Sequence, residues 1–218
     1  MILRTVGVMT VVLAGIASAE TRVSAKLVSD VSAVARGDSF RMGVLFTIPE
    51  RSHIYWHNQG DSGLPTDVEL TLPEGFRVED LEWPNPEAFW DEILDETSFG
   101  YESEVLLFAT VWAPYTITPG ESVAISANVE WLICLEDGQC IPEEASLELA
   151  LPVAEDTAAS AHTELFESYA ARTPGSISET GVHGKVAVTG QPEPTVTVSA
   201  KEPWLIHLAA PEVPSFYP

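Results

Sequence analysis

Residues 130–144 read EWLICLEDGQCIPEE and contain both cysteines of the 218-residue chain, Cys134 and Cys140. Apolar and polar residues alternate before this stretch, over residues 123–131, and again after it, over residues 145–151, as in half-buried β-strands. The Asp137-Gly138 pair between the cysteines is a strong signal for a two-residue hairpin turn. We therefore predict a hairpin with one cysteine on each arm, within reach of a disulfide bond.

A disulfide that closes such a short loop can be structural or reactive. In the chain-entropy model it contributes only about 2 kcal/mol, and a domain large enough to bury its own core hardly requires it. A small exposed loop favours a strained, reducible disulfide, which is the catalytic kind. The spacing differs from the C-x-x-C of thioredoxin folds and therefore argues against a thioredoxin. The cysteines alone leave both the structural and the reactive role open.

The composition and the first residues restrict the class of protein. The net charge of −23 argues against nucleic acid and anionic membrane surfaces as partners. Residues 1–19 have the pattern of a signal peptide, with Arg4 near the start, an apolar run and a small-residue cleavage site at residues 17–19. That run is too short to span a bilayer, and no later segment is apolar for long enough to do so. We expect export to a compartment where disulfides form.

Short strands separated by glycines and prolines extend over most of the chain and predict an antiparallel β-sandwich. Residues 89–99 are acidic and aromatic without a clear period, which predicts a long loop. Residues 155–172 have apolar side chains at helical spacing, and strands resume at 185–189, 195–200 and 204–208. Because three strands cannot close a second sandwich, they either dock on the first module or begin a longer protein. The expected organisation is a signal peptide at 1–19, a sandwich at 20–152, a helical linker at 153–174 and an incomplete β module at 175–218.

Three sequence blocks together resemble the N-terminal periplasmic domain of the thiol:disulfide interchange protein DsbD, and its ScsB-like relatives still more closely. They are WLIC followed by QCIPE at 131–143, YWHNQGDSGLPT at 55–66, and WPNP at 83–86 followed by FGYE at 99–102. Their order and spacing are more specific than the cysteine pair alone. The resemblance implies an immunoglobulin-like all-β sandwich in the periplasm.

The same resemblance implies a site. Cys134 and Cys140 would be the redox-active pair, covered by a cap loop at residues 95–101. Phe99 would shield the sulfurs, and Gly100 would let the backbone swing aside; an ordinary core position is the alternative for Phe99. The remaining residues implied to belong to the cap or to line the site are Glu96, Tyr101, Tyr55, His57 and Trp131. For His57, a plain surface histidine is the commoner interpretation.

The function implied by the resemblance is a relay of electrons. The domain would accept electrons from a membrane-embedded DsbD/ScsB-type reductase domain and reduce periplasmic thioredoxin-like proteins. It would need no organic cofactor and no metal, because the cysteine pair is the redox centre. The alternative is a non-catalytic sandwich for binding or assembly with an inert disulfide. A structural disulfide has a reduction potential below about −300 mV, whereas a relay disulfide lies above it. Metal handling is disfavoured because the chain has only two cysteines and three methionines and lacks a histidine-rich cluster.

Overall fold

Strands dominate the fold. The computed structural model describes residues 22–174, 185–189 and 195–199. In chain order the elements of these residues are β1 (Ser24–Ser29), β2 (Val31–Ala33), β3 (Ser39–Thr47), β4 (Ser52–Gly60), β5 (Asp67–Thr71), β6 (Arg77–Val78), β7 (Glu87–Asp91), β8 (Glu96–Tyr101), β9 (Glu104–Trp112), β10 (Ser122–Leu135), β11 (Cys140–Pro152), β12 (Ala158–Ala159), α1 (Thr163–Ala170), β13 (Lys185–Thr189) and β14 (Thr195–Ser199).

Two antiparallel sheets form the body of the protein. The four-stranded sheet has the order β1-β3-β9-β6. The six-stranded sheet has the order β11-β10-β4-β8-β7, and β5 pairs with the free part of β10. This arrangement confirms the predicted all-β, immunoglobulin-like sandwich. The face of the six-stranded sheet that is turned away from the four-stranded sheet is called its outer face.

The core lies between the two sheets, and the alternation in the sequence builds it. In β10, Val123, Ile125, Ala127 and Val129 are buried while the residues between them are more exposed. Trp131 continues this inward row, and its indole packs edge-on against Phe46 of β3 with ring centroids 5.5 Å apart. Since successive side chains of a strand point to opposite faces, Cys134 lies on the outer face.

The helix packs on the far side of the four-stranded sheet. Phe166 is completely buried and meets Phe108 of β9 edge-on at 5.8 Å. The Tyr169 hydroxyl donates a hydrogen bond to the Glu104 carbonyl at 2.9 Å. The predicted helix is thus present at 163–170 and is held against the sandwich. It is too short to cross a membrane, and no other helix occurs among the described residues.

Residues 89–99 do not form the predicted loop. They belong to a hairpin of β7 and β8, in which Ala88 pairs with Phe99 and Phe89 with Ser98. β8 also pairs with β4, which joins the hairpin to the six-stranded sheet. The strand conformation of this segment therefore depends on tertiary contacts, because its local sequence pattern does not indicate it. Of the strands predicted after residue 175, β13 and β14 are present and pair with each other. The third, at 204–208, lies outside the described residues.

Candidate functional site

Cys134 and Cys140 form a disulfide at the end of a long strand ladder. β10 and β11 pair over thirteen residues, and the last pair joins the two cysteines directly across the strands, with Cα atoms 4.1 Å apart. Gly138 has φ +86°, a conformation that favours glycine, and the Asp137 carboxylate accepts a hydrogen bond from the Gln139 amide at 3.1 Å. The loop is longer than the predicted two-residue turn: the Gly138 amide donates to the Leu135 carbonyl, and the Leu135 amide donates to the Gln139 carbonyl. This is a three-residue hairpin loop with glycine at its left-handed position.

The two sulfur-bearing residues differ strongly in exposure. Cys134 is only 3% exposed, because β10 lies inside the sheet with β4 beside it. Cys140 is exposed and lies on β11, which ends the six-stranded sheet. Cys140 is therefore the more accessible residue of the pair.

Cys134 belongs to a small apolar cluster on the outer face, separate from the main core, together with Tyr55 and Leu132. The Tyr55 oxygen is 3.2 Å from Cys134 Sγ. A disulfide sulfur carries no proton, so the hydroxyl is the donor. Burial raises the pKa of Tyr55 above its ordinary value of 10.0, which keeps this hydroxyl protonated at neutral pH.

The loop after β4 supports Tyr55. Gly63 has φ +99°, and any Cβ at this position would overlap the Tyr55 ring. Thr66 is buried and donates a hydrogen bond to the Tyr55 carbonyl at 2.7 Å. The YWHNQGDSGLPT block therefore has a physical role, since its glycine and threonine hold the tyrosine that contacts the sulfur.

His53 is a site residue that the sequence reasoning missed. It pairs directly with Cys134 across β4 and β10. Its imidazole meets the Tyr55 ring edge-on at 5.0 Å and stacks on Phe89 of β7 at 4.5 Å with an interplanar angle of 22°. The period-2 alternation could have found His53, because it lies two residues before Tyr55 on one strand face. Phe89 carried no comparable signal, since its segment had no clear period.

The predicted cap residues lie on a strand. Gly100 pairs with Tyr55, and a Cβ on Gly100 would overlap the Ile54 carbonyl oxygen, so this close approach requires glycine. Phe99 is half-buried and, by strand alternation, points to the face opposite to that of Gly100. It lines a cavity of about 600 Å³ together with Trp56, His57 and Trp83, among others.

The other predicted residues have separate surroundings. Tyr101 is buried and donates to the Pro84 carbonyl at 2.8 Å. Glu96 starts β8 opposite Asp91. Trp131 points into the core and donates its indole N–H to Glu143 at 3.1 Å. Of the predicted lining residues, Tyr55 contacts the disulfide, whereas the cap role of Phe99 stays a prediction.

Charged groups fasten the hairpin turn to the start of β4. Arg51 Nε donates to Glu136 Oε2 at 2.6 Å, and the Glu136 amide donates to the Arg51 carbonyl at 3.1 Å. Arg51 has a positive φ of 62° at this connection. Within the described part of the chain, no group of three or more His, Cys, Asp or Glu side chains is arranged to hold a metal ion.

A family model matches most of the sandwich. Residues 23–152 match the model described as thiol:disulfide interchange protein DsbD, N-terminal. The chain belongs to this family. No curated protein sequence matches the chain. Family membership and the Cys134–Cys140 disulfide together make the sandwich a thiol–disulfide exchange domain of the DsbD N-terminal type.

Solved structures similar to this DsbD N-terminal family member include the N-terminal domains of ScsB and DsbD and a pilin. The N-terminal periplasmic domain of ScsB from Proteus mirabilis is 18% identical, and the match covers 76% of this chain and 57% of that chain, with a TM-score of 0.49. The reduced DsbD N-terminal domain from Neisseria meningitidis is 17% identical, with coverages of 61% and 89% and a TM-score of 0.29. The pilin BcpA from Bacillus cereus is 9% identical, with coverages of 60% and 40% and a TM-score of 0.34. The chain therefore spans little more than half of the ScsB structure.

Proposed function

We propose that the sandwich is a periplasmic electron relay. It accepts electrons from a membrane-embedded reductase domain and delivers them to thioredoxin-like substrate proteins through Cys134 and Cys140. The observation that carries this proposal is the asymmetry of the disulfide. One sulfur belongs to an exposed residue at a sheet edge, and the other is buried against a hydroxyl donor. This difference leaves one sulfur open to attack and gives the other a hydrogen-bond donor that stabilises it as a leaving thiolate.

The asymmetry assigns a role to each cysteine. During reduction of the domain, a partner thiolate attacks Cys140 Sγ and forms a mixed disulfide. The Cys134–Cys140 bond breaks, and its electron pair stays on Cys134 Sγ, where the Tyr55 hydroxyl donates to it. A second partner thiol, as its thiolate, then attacks the partner's own sulfur, which oxidises the partner and releases Cys140 as a thiolate. Two electrons have passed to the domain, and protons from solvent balance the charge that they bring.

Delivery to a substrate runs in the opposite direction. The Cys140 thiolate attacks the substrate disulfide, and one substrate sulfur leaves as a thiolate. The Cys134 thiolate then attacks Cys140 Sγ, restores the internal disulfide and releases the second substrate thiolate. The redox centre is the cysteine pair itself, so the proposal includes no organic cofactor.

The cellular setting rests on three supports. Residues 1–19 have a signal-peptide pattern. The ScsB domain to which the chain is similar is described as periplasmic. The DsbD family name describes thiol:disulfide interchange. The membrane-embedded donor and the thioredoxin-like acceptors are proposed by analogy with this family.

Two measurements on the purified protein test the proposal. Equilibration with glutathione buffers should give a potential above about −300 mV; a lower value supports an inert disulfide and a binding role. Glutathione disulfide should modify the Cys134→Ser variant, which retains Cys140, at least tenfold faster than it modifies Cys140→Ser. Mass spectrometry of the adducts measures both rates, and equal rates would contradict the assignment of Cys140 as the exchanging sulfur.

A further inference from the structure

The outer face next to the disulfide carries an imidazole that takes no part in the proposed exchange steps. We propose that His53 is the charge partner of Cys134 in the reduced protein: when the disulfide opens, the imidazole takes up a proton and forms an imidazolium–thiolate pair. This inference rests on the proposed exchange function and deepens it.

The placement of His53 supports this role. Its side chain is opposite Cys134 in the β4–β10 ladder, and directly opposed residues of antiparallel strands have Cβ atoms about 4.5–5.5 Å apart. Its ring also meets Tyr55, whose hydroxyl contacts Cys134 Sγ at 3.2 Å. The three side chains therefore adjoin one another on one face, where a charge that forms on the sulfur acts on the imidazole.

The state of the imidazole nitrogen is the second observation. His53 Nε2 is buried and has no hydrogen-bond partner among the described residues of the disulfide form. Buried polar atoms are normally paired, and an unpaired one requires an explanation. The oxidised sulfur of the opposed Cys134 is only a weak acceptor and carries no proton, whereas reduction produces an anion or a thiol at that residue.

The surroundings strengthen such a pair. Phe89 stacks on the imidazole and covers it from the β7 side, and opposite charges attract more strongly where water is excluded. In the disulfide form, burial lowers the pKa of His53 below its ordinary value of 6.5, so the ring is neutral at neutral pH. An adjacent thiolate favours the protonated ring and opposes this effect of burial.

Other ionisable groups lie around the imidazole. Those that face it from β4 and β10 are Tyr55 and Cys134. Those next to Phe89 on the same face of β7 are Glu87 and Asp91, and those at the hairpin turn are Arg51, Glu136 and Asp137. Both forms of the protein contain the carboxylates and the arginine, so only the charges on the Cys134 and Cys140 sulfurs change with reduction. Of the two cysteines, Cys134 is the one opposite His53.

The chain supplies a matched control. His57 lies on the same strand, and burial also lowers its pKa below 6.5. Its ring, however, contacts Trp56 at 4.2 Å and Trp83 at 5.0 Å. His57 should therefore titrate alike in both redox forms.

Proton NMR of the imidazole rings tests the pairing without any substitution. The protein is titrated as the disulfide and again after reduction with a trialkylphosphine. The titration midpoint of His53 should rise on reduction by about 1 unit or more, the usual effect of an adjacent opposite charge, while that of His57 stays unchanged. Equal His53 midpoints in the two forms overturn the proposal.

A variant adds an independent measurement. In a Cys140→Ser background, absorbance at 240 nm follows thiolate formation by Cys134. Adding His53→Gln should raise the pH midpoint of Cys134 thiolate formation by about 1 unit, whereas adding His57→Gln should not. Equal effects of the two substitutions would overturn the pairing of His53 with Cys134. If the glutathione equilibrium gives a potential below about −300 mV, the relay fails but the redox-linked shift of His53 can still be observed. The two conclusions can therefore fail separately.

Discussion

Removing the hydroxyl that contacts the buried sulfur should make Cys134 a weaker acid. In the disulfide form, the Tyr55 hydroxyl donates to an uncharged sulfur at 3.2 Å. A hydrogen bond to a neutral group is worth about 0.5–1.5 kcal/mol, and one to a charged group about 1.5–3 kcal/mol. Tyr55→Phe should therefore cost the thiolate about 1.4 kcal/mol more than it costs the uncharged sulfur, which corresponds to about 1 pH unit.

The assay is the pH dependence of thiolate absorbance in a Cys140→Ser background, with and without Tyr55→Phe. The midpoint should rise by about 1 unit, and the reduction potential of the two-cysteine protein should fall by up to about 30 mV. Tyr101→Phe is the matched control, because this buried hydroxyl donates to the Pro84 carbonyl and not to sulfur. If both substitutions move the midpoint equally, the Tyr55–sulfur contact does not stabilise the thiolate.

Three further outcomes are expected. Phe89→Ala should speed reduction by dithiothreitol more than Phe99→Ala does, because Phe89 stacks on His53 beside the disulfide; the reverse order would support the cap predicted from the family resemblance. Phe166→Ala should cost about 3–5 kcal/mol in urea unfolding, and a loss below about 1 kcal/mol would show that the helix is dispensable. Burial keeps His53 and His57 neutral, so the unfolded chain binds protons first as the pH falls below 6.5. The unfolding free energy of the wild type relative to a double glutamine variant should therefore decrease between pH 7.5 and 5.5, and a constant difference would contradict the two pKa shifts.

Local chemistry explains what the sequence predicts well. The Asp137-Gly138 turn and the alternation on either side depend on neighbouring residues alone, so the hairpin and its cysteine pair follow from them. The helix at 163–170 is predictable for the same reason. The burial of Phe166 could not be predicted, because helical spacing shows which residues share a face of the helix but not what that face contacts.

Long-range contacts explain what the sequence does not reveal. The β7–β8 hairpin depends on the approach of Gly100 to Ile54, residues far apart in the chain. His53 becomes significant only because the register of β4 and β10 places it opposite Cys134. The periodicity of two distant segments does not determine the register in which they pair. The sequence therefore locates the site through its cysteines, but it does not identify the residues that surround them.

The thirteen-pair ladder that ends at the cysteines has a kinetic consequence. Backbone hydrogen bonds of β10 and β11 hold the two sulfurs near each other, so cleaving the bond between them does not let them diffuse apart. Cys134 therefore faces any mixed disulfide on Cys140 at a high effective concentration, with little entropy left to lose. Mixed disulfides with partners should therefore have short lifetimes, because the paired strands keep Cys134 in position to displace the partner from Cys140.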